Sequence, residues 1–155
     1  MRTAFVGLAL SLILTPVAAA VELTPLKALL DGQPEETYRH VRWAAFYLAN
    51  IEWGGQALNE AAFEESKSAV SALLLVATLE RASKVDGSIE HWAQTVNADV
   101  RAIADLYATN YRQSYATRGS AWAGNTLWNS DAETCKPIAE VALMMRAELD
   151  KGDEQ

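Results

Sequence analysis

Cysteine occurs once in this chain, at Cys135, and histidine twice, at His40 and His91. A single thiol excludes an internal disulfide framework, and without C-x-x-C-H there is no covalent haem attachment. Two histidines with no matched second pair do not supply the three or four converging ligands that zinc needs. Glu36 and His40 lie four apart and share a helix face, but His91 sits on another segment beside Glu90. Neither histidine has a glutamate three residues before it, as a di-iron bundle requires. No metal or cofactor is therefore expected. G-x-S-x-G is absent, and Gly54-Gly55 lacks the strand-to-helix context of a phosphate loop. No catalytic motif remains, so the expectation is a protein that is not an enzyme. Positive charge is also scarce, with 13 Lys and Arg against 20 Asp and Glu. A net charge of −7 repels phosphate backbones and anionic lipid, which argues against nucleic acid as a partner.

Long apolar runs are scarce, and one lies at the N-terminus. There, Arg2 precedes an apolar stretch from Ala4 to Leu14, followed by Pro16 and an A-x-A pattern at Ala18 and Ala20. This is the layout of a secretory signal peptide, with cleavage expected between Ala20 and Val21. The run is shorter than the roughly 20 residues a membrane helix needs. No cysteine follows it to carry a lipid. The expectation is thus a periplasmic or secreted protein, without stable membrane insertion once the leader is gone. The mature chain, residues 21–155, has 135 residues, enough for one domain with a real core. Loss of Arg2 moves its formal charge from −7 to −8.

What the chain has in quantity is Ala, Leu and Glu at helical spacing. Thr24 and Pro25 open a short helix that reaches about Asp31, before Gly32. Pro34 starts a second, with Tyr38, Val41, Ala45 and Leu48 inward and Trp43, Phe46 and Tyr47 widening that face, up to Gly54-Gly55. Asn59 caps a third helix running to about Lys84, whose centre, AVSALLLVATL, is apolar nearly all round and belongs mid-bundle. On its charged end Glu80 and Lys84 form an i,i+4 pair. Gly87 suits a left-handed C-terminal position, and Ser88 caps the next helix. That helix, about Ile89 to Ala116, carries Ile89, Trp92, Val96, Val100, Ile103, Tyr107 and Tyr111 at three- and four-residue steps. Asp99 lies at the edge of this stripe and is expected to reach solvent. The segment TRGSAWAGNTLWNSD reads as a loop of about 15 residues, and a final helix follows. The acidic end, about 150–155, should fray. The predicted fold is an all-α, four-helix-bundle-like single domain with a short extra N-terminal helix and a long loop before the last helix.

Two features carry functional expectations. Cys135, Ile138, Ala142, Met145 and Leu149 step by three and four, with Val141 beside them, so the thiol lines up with the core and reads as a buried small hydrophobe. Its other reading is reactive. If Thr134 caps a helix with Pro137 in its first turn, the dipole would stabilise a Cys135 thiolate, and an odd thiol could link a homodimer. The second feature is aromatic. Tyr107, Tyr111 and Tyr115 are spaced four apart, and the segment with Trp122 and Trp128 follows directly. Such rings either close the core or form a recognition surface. The favoured expectation is an exported, non-enzymatic protein that binds another protein, such as an inhibitor, adaptor or immunity-type factor. The alternatives are a bundle that takes a small ligand or peptide in an aromatic cleft, and a thiol-dependent enzyme or redox protein.

Overall fold

The computed structural model describes residues 23–30, 36–55 and 58–152. These form five helices: α1 (Leu26–Leu30), α2 (Glu36–Gly54), α3 (Glu60–Lys84), α4 (Ile89–Arg118) and α5 (Thr126–Gly152). There is no strand among the described residues, and the chain is an all-α, bundle-like single domain. No described helix is long and apolar enough to cross a membrane. The leader, its cleavage point, the approach to α2 through Pro34, and residues 153–155 lie outside the described residues.

Local chemistry sets the helix ends. Asn59 Oδ1 accepts from Ala62 N at 2.8 Å, and Ser88 Oγ accepts from His91 N at 3.2 Å, as N-caps do. Gly119 takes the left-handed conformation (φ 72°) and its N–H closes on Tyr115 O at 2.8 Å, ending α4. Gly87 is required for another reason than the left-handed helix end expected. Its φ is +151°, and a Cβ there would lie 2.6 Å from Trp92 Nε1. The end of α3 is instead closed by the extended Val85, whose N–H bonds Arg81 O.

Helices α2, α3 and α4 pack on one another, and α5 lies across α3, α2 and α1. The α3 centre buries Ala69, Ala72, Leu73, Val76 and Ala77, as its nearly continuous apolar character demands. From α4 come Val96, Val100, Ala104, Tyr107 and Tyr111, and from α2 Val41, Trp43, Ala44, Ala45, Phe46 and Ala49. Ile89, expected on the inner face of α4, is 56% exposed because the first residue of the helix overhangs the core.

The last quarter of the chain departs most from expectation. The connection is residues 119–125, about half the length expected, and α5 begins at Thr126. Asn125 explains the early start. Its Oδ1 accepts from Trp128 N at 3.2 Å, while its Nδ2 donates to Ala121 O at 2.8 Å and to Asn110 Oδ1 at 2.7 Å. An N-cap tied to α4 nucleates the helix before the residues that look like loop. Thr134 is therefore not a cap. It lies inside α5 and its hydroxyl donates back to Asp131 O at 3.0 Å. Pro137 sits mid-helix, where its ring leaves the Glu133 carbonyl without a helical donor.

The α5 stripe is also only half as predicted. Cys135, Ala139 and Ala142 are buried, but Val141, Met145 and Leu149 are 46%, 50% and 50% exposed. The buried line is turned toward Ala139, and the larger side chains fall outside it.

Candidate functional site

Two polar centres sit where α2, α4 and α5 meet. The first is fully enclosed. Arg42 on α2 and Asp131 on α5 are 1% and 0% exposed, with Arg42 Nη2 2.8 Å from Asp131 Oδ2. Arg42 Nε donates to Tyr107 OH at 2.6 Å, and the Tyr107 hydroxyl donates to Asp131 Oδ2. Arg42 Nη2 also donates to Thr24 O at 2.9 Å, and Asp131 Oδ1 accepts from Leu26 N at 2.7 Å. The guanidinium lies 4.9 Å from the Tyr107 ring centroid. A buried charge needs a partner and saturated hydrogen bonding, and this pair has both. Burial opposes the Arg42 charge, but Tyr107 and Asp131 outweigh it and hold the guanidinium protonated above its ordinary range. Burial likewise pushes the Tyr107 phenol well up, against the pull of Arg42. The centre bonds the start of α1 to α5 through backbone groups at Thr24 and Leu26. Its chemistry is that of a fastening, because Arg42, Tyr107 and Asp131 are all sealed from solvent.

The second centre is open on one side. Asn50 Oδ1 on α2 accepts from Tyr111 OH at 3.0 Å and from Trp128 Nε1 at 3.1 Å. Trp128 stands at the wall of a surface cleft of about 280 Å³, with Trp122, Phe46, Tyr47, Leu58 and Ala132. Asn50, Ser66, Glu65 and Lys136 add its polar groups. Phe46 packs against Trp128 with ring centroids 6.1 Å apart, which fixes the floor. The Trp122 indole N–H is buried and has no hydrogen-bond partner. Burial, and then the nearby carboxylates of Glu65 and Glu140, push the Tyr47 phenol up to about 12.

A larger cleft of about 470 Å³ separates α3 from the end of α5. It is a weaker candidate, because its cations are engaged by neighbouring side chains. Lys67 pairs with Glu64 at 3.0 Å, and Arg146 bonds Ser71 and approaches Asp150. Arg81 and Asp99, 2.8 Å apart, line a third cleft with Tyr38. Asp99 reaches solvent as expected, but with an arginine attached. Ligand sites are mostly apolar with a few placed polar groups, and the aromatic cleft fits that description best.

The five aromatic residues expected to act together are divided. Tyr107 and Tyr111 are fully buried and belong to the two polar centres. Tyr115 is 59% exposed and leans on Trp53, with centroids 6.2 Å apart. Only Trp122 and Trp128 line the cleft. A cleft made by Tyr107, Tyr111 and Trp128 together does not form, because the two tyrosines point into the core. Cys135 is fully buried on the tenth residue of α5, and burial pushes its thiol well up. A thiolate in a first helical turn is thus replaced by a neutral core thiol.

His40 Nδ1 bonds Glu80 Oε2 at 2.9 Å across α2 and α3. The side chain of Glu36 lies outside the described residues. Among the described residues, no group of three or more His, Cys, Asp and Glu side chains is arranged to hold a metal ion.

Sequence reasoning missed Arg42, Asp131 and Asn50. Arg42 carried one signal: it is a cation between Val41 and Trp43, on the apolar face of its helix. No protein-family model, curated protein or solved structure matches this chain.

Proposed function

We propose that this is an exported, non-enzymatic protein that captures a polypeptide partner by taking one of its apolar side chains into the Trp122–Trp128 cleft. The observation that carries this reading is the cleft itself: two indoles and Phe46 form an apolar wall that opens to the surface beside Asn50. Its volume of about 280 Å³ is near the lower bound of small-molecule sites, roughly 300–1,000 Å³, and suits a single anchoring side chain. Buried aromatic pockets of this kind are where interfaces concentrate their energy. The unpaired Trp122 N–H is a donor that a partner carbonyl would satisfy after a small side-chain shift. Glu65 at the rim, Glu140 near Tyr47 and the net charge of −7 favour basic residues beside the anchor.

The test uses short cationic peptides, each with one Phe, Leu or Ile among lysines, and a lysine–serine control. Titration calorimetry should detect the apolar-bearing peptides and not the control. Ser66→Trp, which fills the cleft from α3, should weaken that binding by at least about tenfold. Binding that ignores the apolar residue, or that survives Ser66→Trp, would contradict the reading.

A further inference from the structure

We propose that the residue taken into the Trp122–Trp128 cleft is the last residue of the partner chain, with its free carboxylate held by the side-chain amide nitrogen of Asn50. This rests on the capture proposed above and names the part of the polypeptide that is captured.

The inner polar groups of the cleft are donors. Asn50 is 9% exposed and, with Phe46, is the most buried part of the lining. An indole N–H can only donate, so the Asn50 atom 3.1 Å from Trp128 Nε1 is its oxygen. The same oxygen accepts the Tyr111 hydroxyl at 3.0 Å, which fills both of its lone pairs. The carboxamide is thereby locked from behind. Its Nδ2 carries two N–H groups with no partner among the described residues. Unlike the Trp122 N–H, Nδ2 is not closed off from solvent, and the opening at Asn50 is the cleft. A donor held in place and nine-tenths buried calls for an acceptor. A ligand amide or ammonium would set donors against donors there. A carboxylate only accepts, and its charge-assisted bonds are roughly twice as strong as neutral ones.

Space favours a chain end as the source of that carboxylate. An internal residue must lead backbone both into and out of a cleft of about 280 Å³, whereas a last residue needs one way in. Its side chain then has the apolar wall of Trp122, Trp128 and Phe46 to lie against. The rim charges agree. Lys136, exposed on α5, has no hydrogen-bond or ion-pair partner among the described residues and gives the cleft a positive charge of its own. Glu65, exposed on α3, suits a basic residue upstream of the terminus. Capture of a terminal carboxylate is a recurring mode of peptide recognition.

Titration calorimetry of the leader-free protein with three cationic peptides of one composition tests the chain end. One ends in phenylalanine as the free acid, one ends in phenylalanine as the amide, and one carries its phenylalanine at the centre. The first should bind at least about tenfold more tightly than either of the others. Asn50→Asp keeps an oxygen for Tyr111 and Trp128 but replaces the two N–H groups by a second oxygen. It should weaken the free acid by at least about tenfold and erase its advantage over the amide, with circular dichroism unchanged. The comparison of acid with amide on the unchanged chain needs no variant to fold. Equal affinity for acid and amide, both lost in Ser66→Trp, would overturn the chain end and leave capture at the cleft standing. No binding of any of the three would overturn both. An acid preference that survives Asn50→Asp would overturn the role of Asn50. N-acetyl-phenylalanine binding as tightly as the first peptide would overturn the chain end in favour of a free small acid.

Discussion

The Arg42–Asp131 centre and the Asn50–Trp128 centre are neighbours built from the same three helices, yet one is sealed and the other is open. In the first, every charged atom has partners inside the fold, including backbone groups of the first described residues. In the second, one carboxamide oxygen serves a core tyrosine and a cleft-wall tryptophan at once. Sealing makes a polar group structural, because nothing from outside can reach it. Leaving one wall uncovered gives the same kind of hydrogen bonding a recognition use. Position along α5 separates the two: Asp131 faces inward under α1, while Trp128, three residues earlier, faces the gap between α2 and α3.

Breaking the sealed centre should have the largest effect. Asp131→Ala leaves a buried guanidinium without its counter-charge and the Tyr107 phenol and Leu26 N–H without an acceptor, and should cost about 3–5 kcal/mol in urea unfolding. Removing both charges, as Arg42→Met with Asp131→Leu, should cost less than the single change, since no lone charge stays buried. A double variant less stable than Asp131→Ala would show that the pair is worth more than its desolvation. In the open centre, Asn50→Ala strands two donors, but the cleft admits water to one of them. The expected loss is about 1–3 kcal/mol, smaller than for Asp131.

Alkaline titration sharpens the contrast further. Burial raises the phenol pKa of Tyr47, Tyr107 and Tyr111 in the folded protein above the unfolded value of about 10. A raised folded value means stability that is intact below about pH 10 and is lost as pH climbs through the folded values. For Tyr47 at the cleft that window closes at about 12. The core phenols Tyr107 and Tyr111 should therefore show phenolate absorbance only together with loss of circular dichroism. Tyr107→Phe and Tyr111→Phe should each remove part of that late absorbance. Least affected of all should be the thermal stability of Ser66→Trp, within about 0.5 kcal/mol of the unchanged chain, because it alters a half-buried rim position.

The all-α fold could be read from the sequence because it depends on local periodicity and on the caps that start α3 and α4. Asn59 and Ser88 are chemical punctuation a few residues wide, whereas the ends of those helices, at Val85 and Gly119, were not read. The start of α5 was not legible, since Asn125 acts as a cap only by bonding Asn110 and Ala121 from elsewhere. For the same reason Asp131 looked like loop. A charged residue in an apparently polar stretch gives no sign that Arg42, 89 positions away, is waiting for it. The aromatic surface was half legible. Spacing placed Tyr107 and Tyr111 on one face, but only packing against α2 decides that this face is the core, while Trp122 and Trp128 fall to the cleft. In α5, periodicity found the apolar stripe, but the approach of α3 selected Ala139 and Ala142 over Met145 and Leu149 as its buried edge.

The most direct measurement follows the five tryptophan indole N–H resonances while a Phe-bearing cationic peptide is added. The signals of Trp122 and Trp128 should move together in a saturable manner, while those of Trp43, buried in the core, and Trp92, beside Gly87, stay in place. Movement of Trp43 or Trp92 with Trp122 and Trp128 unmoved, or no movement at all, would contradict capture at the aromatic cleft.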